Sequence, residues 1–288
     1  MIPSSGIVDT LIGFRSHRNV KPIAALRGPA HDDHKPHGYM FKDTPAELPE
    51  GSDETVSIDE TVSMMDAHGI EWGLASLTDE LTPLALKAYP NRFLASLSVD
   101  GNRGMDQVRD IVRAVDELGV RALTIFPSGV HPQLPINDRR WYPIYAKCVE
   151  LDLPIFMAVG VPGPRVPMMA QYPGYLDEVC YDFPELTIVM RHGAEPWEAL
   201  AVKLMLKWPN LYYSTSGFAP KHLPKAVIDF ANTRGADKFV YAGYYPFGIE
   251  LERTFRELRE LPLREAVWPK FMSGNARRIL KLPEAPAQ

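Results

Sequence analysis

Imidazole and carboxylate side chains crowd one stretch of this 288-residue chain. His31, Asp32, Asp33, His34 and His37 stand close together, followed by Tyr39 and Lys42 in GYMFKD. Donors this dense can build a metal site. A charged, solvated loop is the favoured reading, because zinc sites need rigid ligands with supporting contacts. The same loop can close as a lid, and Tyr39 can reach a substrate from it. Elsewhere the reactive types are sparse. Asp9 lies in GIVDTLI, His192 ends LTIVMRH, and Tyr244 ends FVYAGY. A histidine near a carboxylate acts as a general base with its tautomer fixed. A tyrosine hydroxyl can donate to an oxyanion. Ser214 and Ser216, in STSGF, can bond a substrate carboxylate or carbonyl. No G-x-S-x-G surrounds them, so a serine nucleophile on a nucleophile elbow is not expected. Trp197 follows HGAEP and can wall a pocket or simply pack. Arg15 and His17, just after the first apolar run, are further substrate-binding candidates.

These residues fall on a regular alternation. Strand-like runs are Gly6–Ile12, Ile70–Leu77, Arg92–Val99, Val120–Phe126, Leu153–Gly160, Leu186–His192, Leu211–Ser216 and Phe239–Tyr244. They are rich in Val, Ile, Leu, Phe and Tyr, as buried parallel strands are. Helix-like segments lie between them: Ser57–His68, Met105–Leu118, Asp138–Leu151, Pro196–Lys207, Pro220–Thr233 and Leu251–Leu261. Ser57 with Glu60 reads as a capping box, and Gly69 and Gly119 as C-terminal stops. Alternating β and α units over this length predict an α/β fold, a closed (β/α)8 TIM barrel. The doubly wound sheet competes, but no G-x-G-x-x-G follows the first strand and no phosphate-binding P-loop occurs. Residues 14–57 do not fit the alternation. They are expected to form an insertion in the first β-to-α loop, at the mouth where barrels place their chemistry. Residues 1–282 are expected to be a single barrel, with 283–288 a frayed tail.

Composition agrees with a globular protein: 45% hydrophobic and 23% charged residues exclude a wholly disordered chain. A net charge of −5 speaks against nucleic-acid or anionic-membrane binding. Cys148 and Cys180 are too few for a disulfide framework and read as small buried hydrophobes. No signal peptide or apolar run of about 18 residues is present, so a soluble cytoplasmic protein is the expectation.

Seven segments then carry a resemblance. YPNRFLASLSVD, ELGVRALTIFP, WYPIYAKCVELDLPI, FPELTIVMRHGAEPW, WPNLYYSTSGF, KFVYAGYYPF and GNARRIL are similar to amidohydrolase family 2, which includes aminocarboxymuconate-semialdehyde decarboxylase-like proteins. They follow the family's order over most of the chain. The resemblance implies a (β/α)8 barrel that usually binds a divalent metal, commonly zinc. It implies ligands in D-x-H-x-H on strand 1, a histidine on each of strands 5 and 6, and an aspartate in G-S-D-Y-P on strand 8. Here Leu11, Gly13, Ala158 and Tyr244 stand at four of those positions, and His192 alone is kept. Leu, Gly and Ala offer no lone pair and neutral Tyr is a poor ligand, so neither metal nor cofactor is expected. Some relatives of the family, the 2-pyrone-4,6-dicarboxylate lactonases, work without metal.

The resemblance also places Asp9, His192 and Tyr244 at one barrel mouth as a metal-free catalytic set. His192 is then the general base, Tyr244 the oxyanion donor, and Asp9 the residue that orients His192. Arg191 is expected to face the helices as an ion-pair partner. The leading expectation is a hydrolase of a small organic acid derivative: a lactone, a thioester or an activated carbon–carbon bond. A family decarboxylase and a non-catalytic barrel that binds a small molecule are the alternatives. The expected partners are a small-molecule substrate and, since family members often dimerise, a second copy of the chain. No nucleic acid or membrane partner is expected.

Overall fold

A computed structural model describes residues 1–16, 23–26, 39–41, 48, 51 and 53–284. His17, the cluster from His31 to His37, and Lys42 lie outside the described residues. Eight parallel strands run in chain order around a curled sheet. They are β1 (Ile7–Asp9), β2 (Ile70–Ser76), β3 (Phe93–Ser98), β4 (Ala122–Ile125), β5 (Ile155–Ala158), β6 (Ile188–Arg191), β7 (Leu211–Ser214) and β8 (Phe239–Val240). Helices alternate with them: α1 (Val56–Ala67), α2 (Thr82–Ala88), α3 (Met105–Leu118), α4 (Tyr142–Glu150), α5 (Leu176–Asp182), α6 (Glu198–Lys207), α7 (Lys225–Ala231) and α8 (Leu251–Leu258). The last helix among the described residues is α9 (Asn275–Leu280). Backbone bonds just past β1 and β8 close the (β/α)8 barrel. Thr10 N–H donates to Tyr241 O at 3.0 Å, Gly13 N–H to Tyr245 O at 2.8 Å, and Tyr244 N–H to Leu11 O at 3.1 Å.

Two apolar shells result from the two-residue side-chain period of a strand. The outer shell, between sheet and helices, takes Ile7, Leu123, Ile155, Ile188, Met190 and Tyr213. The inner shell takes Val8, Leu74, Leu94, Ala122, Phe156, Val189 and Val240, closed from below by Ala276, Ile279 and Leu280 of α9. Two residues further along each strand, the inward ring is Thr10, Ser76, Ser96, Thr124, Ala158, Arg191, Ser214 and Ala242. Seven of its eight members are small. That ring is the floor on which the C-terminal mouth stands.

The start of α1 differs from the expected capping box. Ser57 is not a cap: α1 begins at Val56 after Thr55, and the Ser57 hydroxyl donates to Glu54 O at 2.8 Å within the first turn. The short helices α2 and α5 carry too few turns to show a period in the sequence. Gly69 and Gly119 do end their helices in the left-handed region, at φ 69° and 62°. No helix among the described residues is long and apolar enough to cross a membrane.

The α9 plug is pinned by a buried cation. Arg277 donates to Gly6 O at 3.1 Å, to Ser273 Oγ at 2.9 Å and to Glu71 at 2.5 Å. Replacing Arg277 by Met strands these acceptors, so a loss of at least about 2 kcal/mol is expected in urea unfolding. An unchanged midpoint would show that α9 holds by apolar contact alone.

Candidate active site

The mouth is built by residues that turn sharply as their strands end. β6 stops at Arg191, and His192 follows in the left-handed region at φ 66°, with Gly193 at 83° and Ala194 at 58°. Tyr244, past β8, is left-handed too, at φ 61°. Each non-glycine residue held there costs on the order of 1–3 kcal/mol, and such strain gathers at functional sites. The turns bring two rings together: His192 and Tyr244 meet edge to face, with centroids 5.5 Å apart.

Ser216 fixes His192. Its Oγ accepts from the His192 backbone N–H at 3.2 Å and lies 3.5 Å from Nδ1. Gly217, at φ 83°, leaves room for the ring: a Cβ there would come within 2.9 Å of Nδ1. Ser214 Oγ in turn accepts from Ser216 N–H at 3.4 Å. Of the expected pocket serines, one therefore holds the histidine and the other holds that serine.

Asp9 sits at the seam between β1 and β8. Its Oδ1 accepts from Leu11 N–H and from Gly243 N–H, both at 3.0 Å. Its Oδ2 lies 2.6 Å from where a Gly243 Cβ would stand, beside the Tyr241 hydroxyl and Leu251. Both Oδ2 and the Tyr241 hydroxyl are buried without a hydrogen-bond partner among the described residues. No hydrogen bond joins Asp9 to His192; Ser216 takes the orienting place expected of Asp9. What Asp9 sets instead is the backbone of Gly243, the residue before Tyr244.

Arg191 corrects the sequence reading most. It was expected to face the helices, yet it points into the barrel. Its Nη2 donates to Thr10 O at 2.8 Å and its Nη1 to Thr124 Oγ1 at 3.2 Å. Its guanidinium stacks over Phe156 at 4.5 Å. The alternation explains this: Val189 is inward, so Arg191 is inward, and His192 lies beyond the strand.

The remaining candidates lie around this centre. The Tyr39 hydroxyl donates to Gly163 O at 2.5 Å, with Arg165 4.5 Å over its ring, so it covers the segment after β5. Arg15 pairs with Glu60 of α1 at 2.5 Å. Trp197 packs edge to face on Tyr172, with centroids 5.3 Å apart. Sequence reasoning missed the aromatic lining. Phe41, in the insertion, and Phe247 each lie 5.7 Å from the Tyr244 ring, and Phe218 sits against Gly193.

Burial sets the charges. It is the main cause that pushes His192 down to about 4, with the Arg191 cation adding to it and the Ser216 contact opposing. Tyr244 is pushed up to about 12 by burial against the pull of Arg191. Burial raises Asp9 to about 7, opposed by the Leu11 and Gly243 amides and then by Arg191. Arg191 itself falls to about 9 through burial, opposed by Asp9 and Tyr244. At neutral pH the mouth holds a neutral imidazole, a neutral phenol and a guanidinium beneath them.

The donor set does not suit a divalent metal. Leu11, Gly13 and Ala158 offer no lone pair at the family's ligand positions, and Tyr244 stays protonated. At Gly13, a Cβ would lie 2.6 Å from the Phe247 ring, so an aromatic side chain fills the direction a ligand would take. Among the described residues no group of three or more His, Cys, Asp or Glu is placed to hold an ion.

Comparison with known proteins bears on this arrangement. The family profile described as Amidohydrolase matches residues 32–282, and the chain belongs to that family. A 2-keto-4-carboxy-3-hexenedioate hydratase from Sphingobium sp. is 31% identical over 204 residues, a stretch covering 60% of each chain. An uncharacterised TIM-barrel protein from Bordetella bronchiseptica superposes with TM-score 0.74 at 26% identity, over 96% of this chain and 98% of that one. A 2,6-dihydroxybenzoate decarboxylase from Rhizobium shares the fold, with TM-score 0.66 at 16% identity over 96% and 99%.

The depressed His192 has a consequence for stability. The unfolded chain takes up a proton near pH 6.5 that the folded chain refuses until about 4. Stability is therefore lost as pH falls through that window, by roughly 1.4 kcal/mol per unit at most. Urea midpoints from pH 6.5 to 4 are expected to fall less steeply in His192→Gln than in the wild type. Parallel curves would place the imidazole in ordinary solvent.

Proposed function

We propose that this chain is a metal-independent hydrolase of the amidohydrolase family, with a small organic acid derivative as substrate and His192 as general base. The reading is carried by one observation: a neutral imidazole at the barrel mouth whose Nδ1 faces Ser216 Oγ at 3.5 Å. With Nδ1–H donating to Ser216, Nε2 keeps its lone pair. It takes a proton from water as that water attacks a lactone or thioester carbonyl, and returns it to the leaving alkoxide or thiolate as the C–O or C–S bond breaks. Tyr244, protonated and 5.5 Å from His192 ring to ring, donates its hydroxyl to the developing oxyanion. Asp9 acts behind it, holding the Gly243 amide that precedes Tyr244. No step is assigned to a metal, because the residues at the family's ligand positions give it no cradle.

Hydration is a second reading with its own support, the 31% identity to a hydratase. The same His192-activated water then adds to an electron-poor carbon–carbon double bond. Likeness to the decarboxylases is one of fold and selects no chemistry for this chain.

His192→Gln is expected to lower kcat by at least about 100-fold, the usual scale of a general base. Wild-type activity is expected to fade as pH drops towards 4, where the imidazole charges. Elemental analysis of active protein is expected to find no stoichiometric divalent metal, and chelator to leave turnover unchanged. Full activity in His192→Gln removes the base assignment; activity that tracks bound metal removes the metal-free reading.

A further inference from the structure

We infer that Arg191 is the anion-binding residue of the barrel floor, and that the ligand it receives is a carboxylate. This rests on the proposed function in so far as it names the substrate class of the same site.

Three observations carry it. First, the ring of inward residues at this level is otherwise small: Thr10, Ser76, Ser96, Thr124, Ala158, Ser214 and Ala242. A single long cationic side chain crosses between them, from β6 to Thr10 and Thr124. Second, that cation is 4% exposed and makes no ion pair among the described residues. Its hydrogen bonds go to neutral acceptors, Thr10 O and Thr124 Oγ1, and its Nε is buried without a partner. The Asp9 carboxylate acts on it through space without bonding to it, so the buried charge is incompletely compensated, and a bound anion supplies what is missing. Third, Arg15, at the same end, is already neutralised: it is bound by Glu60 at 2.5 Å.

The shape of the group selects the ligand. A guanidinium offers donors in a planar fork that matches the two oxygens of a carboxylate. Phe156 stacks on one face at 4.5 Å and holds the plane fixed. His192 begins at the next residue, so a carboxylate on Arg191 anchors a small acid with its reactive carbon beside the imidazole. Arg191 is thus a specificity-determining residue, distinct from the base that does the chemistry.

The probe is trans-aconitate, a small unsaturated tricarboxylate, with its trimethyl ester as the neutral control. Titration calorimetry of the full chain is expected to show aconitate binding and no ester binding. Arg191→Met is expected to weaken aconitate at least 10-fold, Arg191→Lys to weaken it less, and His192→Gln to bind as the wild type does. Aconitate that fails to bind wild type, an ester that binds equally, or an Arg191→Met that binds unchanged overturns the inference. If Arg191→Met does not fold, a crystal structure of the wild type with aconitate decides. A carboxylate on the Arg191 guanidinium supports the assignment, and carboxylates seated only elsewhere overturn it. Loss of the His192 role alone leaves these binding results standing, so the two readings fail separately.

Discussion

A guanidinium inside a closed barrel has few ways to be accommodated. The apolar plug of Val8, Leu74, Leu94, Phe156 and Val189 excludes it from below, and the helices are out of reach beyond the strands. Arg191 instead lies across the interior, from β6 to the carbonyl of Thr10 and the hydroxyl of Thr124. It fits because its neighbours at that height are Ser, Thr and Ala, whose small volumes leave the centre to one long side chain. Its charge then reaches Asp9, His192 and Tyr244. It helps keep His192 unprotonated and opposes the burial that raises Tyr244 and Asp9. Size complementarity in one layer of the barrel thus sets the electrostatics of the next.

Above that layer, backbone geometry takes over. A strand that simply continued would send the residue after Arg191 outward, into the helices. The left-handed turn at His192 prevents this; Tyr244, two residues past the inward Ala242, adopts a left-handed conformation on the far side. Glycines bear part of the burden. Gly193 continues the β6 turn at φ 83°, and Gly217 allows the β7 loop to pass close to the imidazole. Asp9 helps on the other side by holding the Gly243 amide. The strain at His192 and Tyr244 is sustained by a rigid frame of strands, serines and one carboxylate, rather than by the mouth loops.

The barrel was legible because its signal is repeated. Apolar β-branched runs alternate with helical periods along the chain, and each unit supports the same answer. Strand ends were far less legible. The period of two that places Val189 inside also places Arg191 inside, so this orientation was available from sequence. It was obscured by treating His192 as the inward strand residue, when the chain turns before it. Neither left-handed turn is announced by its residue type, since few non-glycine residues adopt it, His more often than Tyr. Asp9 illustrates a different limit. Its residue type allows either catalysis or backbone support, and only the positions of two amides distinguish them. Phe41, Phe218 and Phe247 carried no sequence signal, because an aromatic residue in a loop is ordinary until the fold shows what its ring fills.

The changes at the family's ligand positions form a pattern. Replacing one metal ligand by an apolar residue leaves the others as buried, unpaired polar groups, which is unfavourable. In this chain Leu11, Gly13 and Ala158 all lack a side-chain donor atom, and the Phe247 ring lies 2.6 Å from where a Gly13 Cβ would stand. The histidine that remains is held by a serine hydroxyl, and the positive charge at the mouth comes from an arginine. The site is therefore packed by groups other than metal ligands, with Asp9 Oδ2 and the Tyr241 hydroxyl left buried without hydrogen-bond partners among the described residues. A barrel that had merely decayed would show stranded ligands facing one another across an empty centre. Here the strained turn instead holds a neutral imidazole between Ser216 and the Tyr244 ring.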